Sequence, residues 1–171
     1  MPRSLLRGFC MERRNLMKLE YRPAQDSDIE TIYTFYKDLI DRYEDVENID
    51  YEKVLLWGRR KISGGISDYR CIFADGQKAG YYCFQEYYED RSCMEIDDLY
   101  LFPEYRGKGI GTAVLQKCCR ESTVPVVLYV FKKNRRAVSL YRKLGFEITA
   151  EAGGTRYIMK YTPDAGYSSA G

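Results

Sequence analysis

Histidine is absent from this chain of 171 residues. That absence removes the imidazole general base, the Ser-His and Cys-His nucleophile pairs, and the commonest metal ligand. Cysteine occurs at positions 10, 71, 83, 93, 118 and 119, but never as C-x-x-C. Cys118 and Cys119 are adjacent on a helical stretch, where neighbouring side chains diverge. No metal site is expected, and the thiols read as reduced, which points to a cytoplasmic protein. No apolar run approaches the roughly 20 residues that span a bilayer, so no membrane partner is expected. An excess of one charge is lacking too: 27 Lys and Arg against 25 Asp and Glu leave a net charge of +2. That balance gives no broad electrostatic case for a nucleic-acid partner. Acid–base work is left to carboxylates, tyrosines, amines and water.

What is present suffices for one domain with a substantial core. The basic segment 1–17 has too brief an apolar stretch for a signal-peptide core and reads as a flexible leader, with Met11 and Met17 as candidate start sites. The folded domain is expected over 18–162, followed by a small-residue tail over 163–171. Leu19 to Arg22 reads as a strand closed by Pro23. Asp26 or Ser27 can cap a helix whose apolar face is Ile29, Ile32, Tyr33, Tyr36, Leu39, Ile40 and Tyr43. A second helix is expected from Tyr51 to Lys61, before Gly64-Gly65. Tyr69–Ala74 and Ala79–Tyr87 read as strands joined through Asp75-Gly76, a strong hairpin signal. Strands Met94–Leu101 and Val126–Phe131 flank a helix over Thr112–Arg120, and strands Phe146–Ala150 and Arg156–Tyr161 pair around Gly153-Gly154.

The most informative stretch is Leu101-Phe-Pro-Glu-Tyr-Arg-Gly-Lys-Gly-Ile-Gly111. Glycines at 107, 109 and 111 lie between a strand and a helix. They let the backbone approach a ligand closely, and the helix N-terminus adds about half a positive charge, so the segment suits a phosphate or pyrophosphate. A Walker A loop needs Ser or Thr after Gly-Lys, where this chain has Gly109, and the dinucleotide fingerprint needs glycine where Thr112 stands. Downstream, Ala137, Leu140, Tyr141 and Leu144 follow i, i+3, i+4, i+7 on one helix face, and Gly145 sits in a C-cap position.

Together Arg106-x-x-Gly109-x-Gly111 and Asn134-x-x-Ala137-x-x-x-Tyr141-x-x-x-Gly145-Phe146 resemble the GNAT superfamily of N-acetyltransferases, in its small single-domain bacterial-type form. The resemblance covers nearly the whole chain after Met17. It implies an α/β (α+β) architecture, the acyl-CoA N-acyltransferase fold: a mixed, mostly antiparallel central sheet with splayed central strands, flanked by helices. It implies acetyl-CoA as the acetyl donor, no metal, and a small-molecule amine acceptor, the protein being a monomer or a homodimer. By the same resemblance Arg106, Gly107, Lys108, Gly109, Ile110, Gly111 and Thr112 form the pyrophosphate loop. Leu99 offers its N–H to the thioester oxygen, and Leu99 and Leu101 line the pantetheine. Asn134 steadies the CoA arm, while Tyr141 acts as acid or stabilises the departing thiolate.

Amide formation needs a neutral amine, and freeing an alkylamine of its proton at pH 7 costs about 4.6 kcal/mol. In a chain without histidine a strand carboxylate, or water held by one, is the available base. Glu95 matches the spacing of the catalytic Glu in the histone-acetylating branch, whereas Asp97-Asp98 matches the acidic pair of diamine acetyltransferases, so the base is Glu95 or Asp97. Strand alternation puts Glu95, Asp97, Leu99 and Leu101 on one face and Ile96, Asp98 and Tyr100 on the other. Glu86, Glu89 and Asp90, interleaved with Tyr81, Tyr82, Tyr87 and Tyr88, suggest a funnel for a cationic amine. The competing readings are acetylation of a protein or peptide amine, and a non-catalytic acyl-CoA sensor.

Overall fold

The computed structural model describes residues 16–164, so most of the expected leader and tail lie outside the described residues. The order is β1 (Leu19–Pro23), α1 (Ile29–Tyr43), α2 (Tyr51–Gly64), β2 (Tyr69–Ala74), β3 (Gln77–Glu86), β4 (Met94–Leu101), α3 (Ile110–Glu121), β5 (Val126–Phe131), α4 (Arg135–Lys143), β6 (Glu147–Ala152) and β7 (Arg156–Tyr161). This is the succession of strands and helices expected from the sequence. The strands form one sheet in the order β1-β2-β3-β4-β5-β7-β6. Every neighbouring pair is antiparallel except β4 and β5.

Several boundaries differ from the expected ones for local reasons. Neither Asp26 nor Ser27 caps α1; residues Asp26–Asp28 tighten into a 3-10 turn, and the Gln25 N–H donates to Asp28 Oδ2 at 2.9 Å. Asp28 suits that place because it is buried, with Lys78 Nζ at 2.6 Å and the Tyr81 hydroxyl at 2.9 Å. Helix α2 runs past Lys61 to Gly64, started by Asp50, whose side chain accepts from the Lys53 N–H. Strand β6 starts at Glu147 because Phe146 still belongs to the end of α4. Its N–H bonds the Tyr141 carbonyl at 3.0 Å and the Gly145 N–H bonds that of Arg142 at 3.1 Å, with Gly145 at φ +95°. That pair of bonds is a Schellman cap, and its αL position favours glycine.

Each sheet face carries its own core. Helices α3 and α4 cover one, around Ile72, Ile96, Val114, Leu115 and Leu128, whereas α1 and α2 cover the other, around Ile32, Tyr36, Ile62, Tyr69 and Tyr81. The parallel pair in the middle is short: only Met94↔Val126 and Glu95↔Val127 are in register. Beyond them β4 and β5 diverge, which is the expected splay.

Elsewhere the strands crowd. A Cβ on Gly80 would lie 2.0 Å from the Tyr100 carbonyl oxygen and 2.9 Å from Leu101 Cα. Both contacts are backbone, so no side chain can swing aside. Gly80→Ala is expected to destabilise the domain by about 1–3 kcal/mol, the usual cost of overpacking. Urea unfolding checks this, and an unchanged midpoint would mean that β3 and β4 are free to separate there.

Candidate active site

Strand β4 is not regular. Cys83 pairs with Asp98 but Phe84 pairs with Ile96, which leaves Asp97 as an extra residue with no partner on β3. Such a bulge shifts the side-chain alternation by one. The expected grouping of Glu95 with Leu99 and Leu101 is thereby corrected. Ile96, Leu99 and Leu101 all pack on the α3/α4 side, and Asp98 and Tyr100 meet residues of the α1/α2 side. Glu95, one step from Ile96, belongs to that second side, next to its partner Gln85.

The three acids of β4 differ sharply in their partners. Asp98 is buried and accepts from the Tyr69 hydroxyl, the Tyr100 hydroxyl at 2.6 Å and Lys61 Nζ at 3.2 Å. It does face away from Leu99, as expected, and anchors α2 to the sheet. Asp97 is half-buried, with Lys61 Nζ at 3.1 Å and Gln85 Nε2 at 3.5 Å. Burial and the adjacent Asp98 raise its pKa, and Lys61 only partly opposes them. Burial works against the charge of Lys61, but Asp98 and Asp97 outweigh it and raise its pKa, so Lys61 stays an ammonium. Glu95 is buried, and no hydrogen bond holds its carboxyl among the described residues. Burial first, then the charge of Asp97, push its pKa up to about 7.

The glycine loop lies where β4 leaves the sheet. Gly107 and Gly109 take φ +71° and +81°, and Gly109 is the N-cap of α3 with no side-chain cap. The first N–H groups of a helix have no intrahelical acceptor, so Ile110, Gly111 and Thr112 present theirs to the space ahead. A Cβ on Gly109 would meet no atom within 4 Å there. One on Gly111 would meet Leu101 Cδ1 at 3.8 Å and Leu99 Cδ2 at 3.9 Å, which sets the loop directly over those two leucines. Arg106 is spent on architecture, its Nε donating to the Leu101 carbonyl at 3.0 Å. Lys108 is exposed above the Tyr105 ring, and Ile110 is buried as the anchor of the helix start. Open space, free amides and two flanking leucines fit a pyrophosphate with an apolar arm.

On α4, Asn134 is the N-cap, its Oδ1 accepting from the Ala137 N–H at 3.3 Å. Its amide nitrogen alone remains for a ligand. Ala137, Leu140, Tyr141 and Leu144 pack on the α3/α4 core as expected, joined by the more deeply buried Val138. Tyr141 sits against Phe146, ring centroids 6.0 Å apart, and burial pushes its hydroxyl up to about 12. Tyr141 and Glu95 therefore occupy opposite faces of the sheet.

The aromatic funnel does not exist as such. Tyr81 is bonded to Asp28, Tyr82 lies in the α3/α4 core, and Tyr87 is buried with its hydroxyl on Glu89 and Tyr129; Tyr88 alone is exposed. Two charged groups near β4 and β5 escaped the sequence reading. Lys61 shows only as one more base on a helix, and Arg156 as the first residue of a strand; neither lies in a motif.

Known proteins place this geometry. The chain is 36% identical over 63 residues to thialysine N-epsilon-acetyltransferase of Bos taurus, covering 34% of this chain and 37% of that protein. It is 33% identical over 85 residues to spermidine N(1)-acetyltransferase of Escherichia coli, covering 47% of this chain and 45% of that one. The chain thus spans less than half the length of these curated relatives. The structure of PaiA N-acetyltransferase from Thermoplasma acidophilum, in complex with coenzyme A, superposes with a TM-score of 0.62 at 23% identity, over 85% of this chain and 99% of that one. The acetyltransferase (GNAT) family description matches residues 32–146, from within α1 through the glycine loop to the cap that follows Tyr141. This chain belongs to that family.

Proposed function

We propose that the protein is an acetyl-CoA-dependent N-acetyltransferase acting on a primary amine of a small molecule. The observation that carries the reading is the glycine loop at the start of α3, with free amides, open space ahead of Gly109, and Leu99 and Leu101 beneath it where β4 has parted from β5. The relatives named for thialysine and spermidine, both amines, support the acceptor class. Acetyl-CoA supplies the activated acetyl group.

The loop amides from Gly107 to Thr112 hold the pyrophosphate, that of Arg106 being already bonded to the Pro103 carbonyl; Leu99 and Leu101 flank the pantetheine, and the free amide nitrogen of Asn134 steadies the CoA arm. The Leu99 N–H, on the stretch of β4 without a β5 neighbour, polarises the carbonyl oxygen and stabilises the charge that grows on it. Glu95 is the base. Its pKa of about 7 brings it nearer the amine by about 3 kcal/mol of proton-transfer free energy relative to an ordinary glutamate. Asp97, tied to Lys61, positions and tunes Glu95 rather than taking the proton. Tyr141 at about 12 is a far weaker acid than a thiol near 8.5, so full proton transfer to sulfur is uphill by about 5 kcal/mol. Its hydroxyl therefore serves as a hydrogen-bond donor to the departing thiolate.

Three outcomes test this. Gly109→Glu is expected to abolish acetyl-CoA binding in calorimetry while the protein stays folded, because a carboxylate would stand in the open space before α3; retained affinity would return the loop to a simple turn. Tyr141→Phe should lower the single-turnover rate by about 10²–10⁴-fold with little change in acetyl-CoA affinity; a normal rate would leave Tyr141 a packing residue. The wild-type rate should rise with pH through about 7 as Glu95 ionises. Glu95→Gln should lose that inflection and regain only part of the activity at high pH, where free amine accumulates. Asp97→Asn should keep the inflection and move it lower, since one repelling charge beside Glu95 is gone; the opposite pattern would make Asp97 the base.

A further inference from the structure

Arg156 is the charged side chain that the site described so far leaves without a task. It opens β7 and pairs in register with Phe131 of β5. Its neighbours on β7 alternate: Tyr157 and Met159 belong to the α3/α4 core, whereas Ile158 packs with Val127 and Tyr129 on the other face. Arg156 shares the face of Ile158, and its guanidinium lies over the rings of Tyr129, at 5.7 Å, and Phe131, at 5.9 Å. Phe131 in turn stacks on Tyr43 at the end of α1, ring centroids 6.0 Å apart. This is the sheet face of Glu95, whose partner on β5 is Val127.

One nitrogen of the guanidinium is unsatisfied. Its Nε is buried with no hydrogen-bond partner, the one such side-chain atom among the described residues. Lys61, the other base described on this face, is paired with Asp97 and Asp98. A buried donor left unmade is costly, commonly about 1–3 kcal/mol, and such a group in a native fold calls for a partner. The donor's phosphates do not supply one, because the glycine loop and α3 lie on the opposite face.

We propose that Arg156 binds a carboxylate of the acceptor, so that the substrate is an amine that also carries a carboxylate, an amino acid or close derivative. A guanidinium beside two aromatic rings carries its N–H groups in one plane, the geometry that a carboxylate meets with two parallel bonds. Val127 and Phe131 are four residues apart along β5, about 13 Å in an extended strand, and the arginine reaches back over Tyr129. The carboxylate and the reacting amine therefore sit at opposite ends of an extended acceptor, one at Arg156 and the other at Glu95. The inference rests on the acetyltransferase reading above and gives it a substrate class.

The test uses matched pairs that differ only by the carboxylate: lysine against cadaverine, and ornithine against putrescine. Thiol release gives kcat/KM for each on the wild type, Arg156→Gln and Arg156→Lys. The wild type should prefer the carboxylate-bearing member. Arg156→Gln should lower kcat/KM for that member by about 10–100-fold, the worth of a hydrogen bond to a charged group, and leave its decarboxylated twin within about threefold. Arg156→Lys, which keeps the charge and loses the fork, should fall between. No preference in the wild type, or an equal loss for both members, would overturn the proposal. If acetyl-CoA binds but no amine releases thiol, the acetyltransferase reading fails instead. Calorimetry of N-acetyllysine and N-acetylcadaverine on CoA-saturated wild type and Arg156→Gln then decides on Arg156, which is supported only if the carboxylate ligand binds more tightly and loses that advantage in the variant.

Discussion

Hydrogen bonding between β4 and β5 stops after Glu95 and Val127, and the rest of the candidate site is arranged around that stop. Two strands that no longer bond must leave backbone groups open, which is tolerable only where a ligand or solvent can reach them. The bulge at Asp97 sits just past the last bonded pair and turns the chain between the two regimes. On the N-terminal side of the bulge Glu95 looks toward α1 and α2. On the other side Leu99 and Leu101 look toward α3, under the glycine loop. One extra residue thus distributes Glu95 and the apolar lining to different faces.

The bulge needs support, and Asp98 provides it. Three donors, from β2, β4 and α2, converge on that buried carboxylate. Lys61 is shared between Asp98 and Asp97, so one ammonium answers two acids. Glu95 has no ion pair of its own; burial first, and then the charge of Asp97, hold its proton up to about neutral pH, with Lys61 opposing them. A buried charge network of this kind is fragile when cut, because each partner left behind is uncompensated. Lys61 accordingly belongs to the architecture of the site although no motif includes it.

Much of this could be read from the sequence. The order of strands and helices, the Asp75-Gly76 hairpin, the glycine loop and the face of α4 that carries Tyr141 all follow from local spacing. The bulge is only half legible: Met94 and Ile96 alternate on one parity and Leu99 and Leu101 on the other, with Asp97-Asp98 between them, but which residue is inserted is defined only against the partner β3. Lys61 and Arg156 escaped for a related reason. Each gains its meaning from groups far along the chain: Lys61 from acids 36 and 37 positions away, and Arg156 from rings on β5. The tyrosines near Glu89 misled in the other direction, because closeness in sequence to carboxylates says nothing about which side of a sheet a ring enters.

The separation of Tyr141 and Glu95 across the sheet also bears on traffic. A chamber with a single mouth makes its visitors queue, so that the first product to form can be trapped behind the second. A passage open at both ends imposes no such order. In the proposed reaction the donor would approach beneath α3 and the acceptor beside α1, and each spent half would leave by the side on which it arrived. Neither molecule would have to vacate its berth for the other to dock, and under that proposal the two would meet directly in the sheet, without the protein carrying the transferred group between visits.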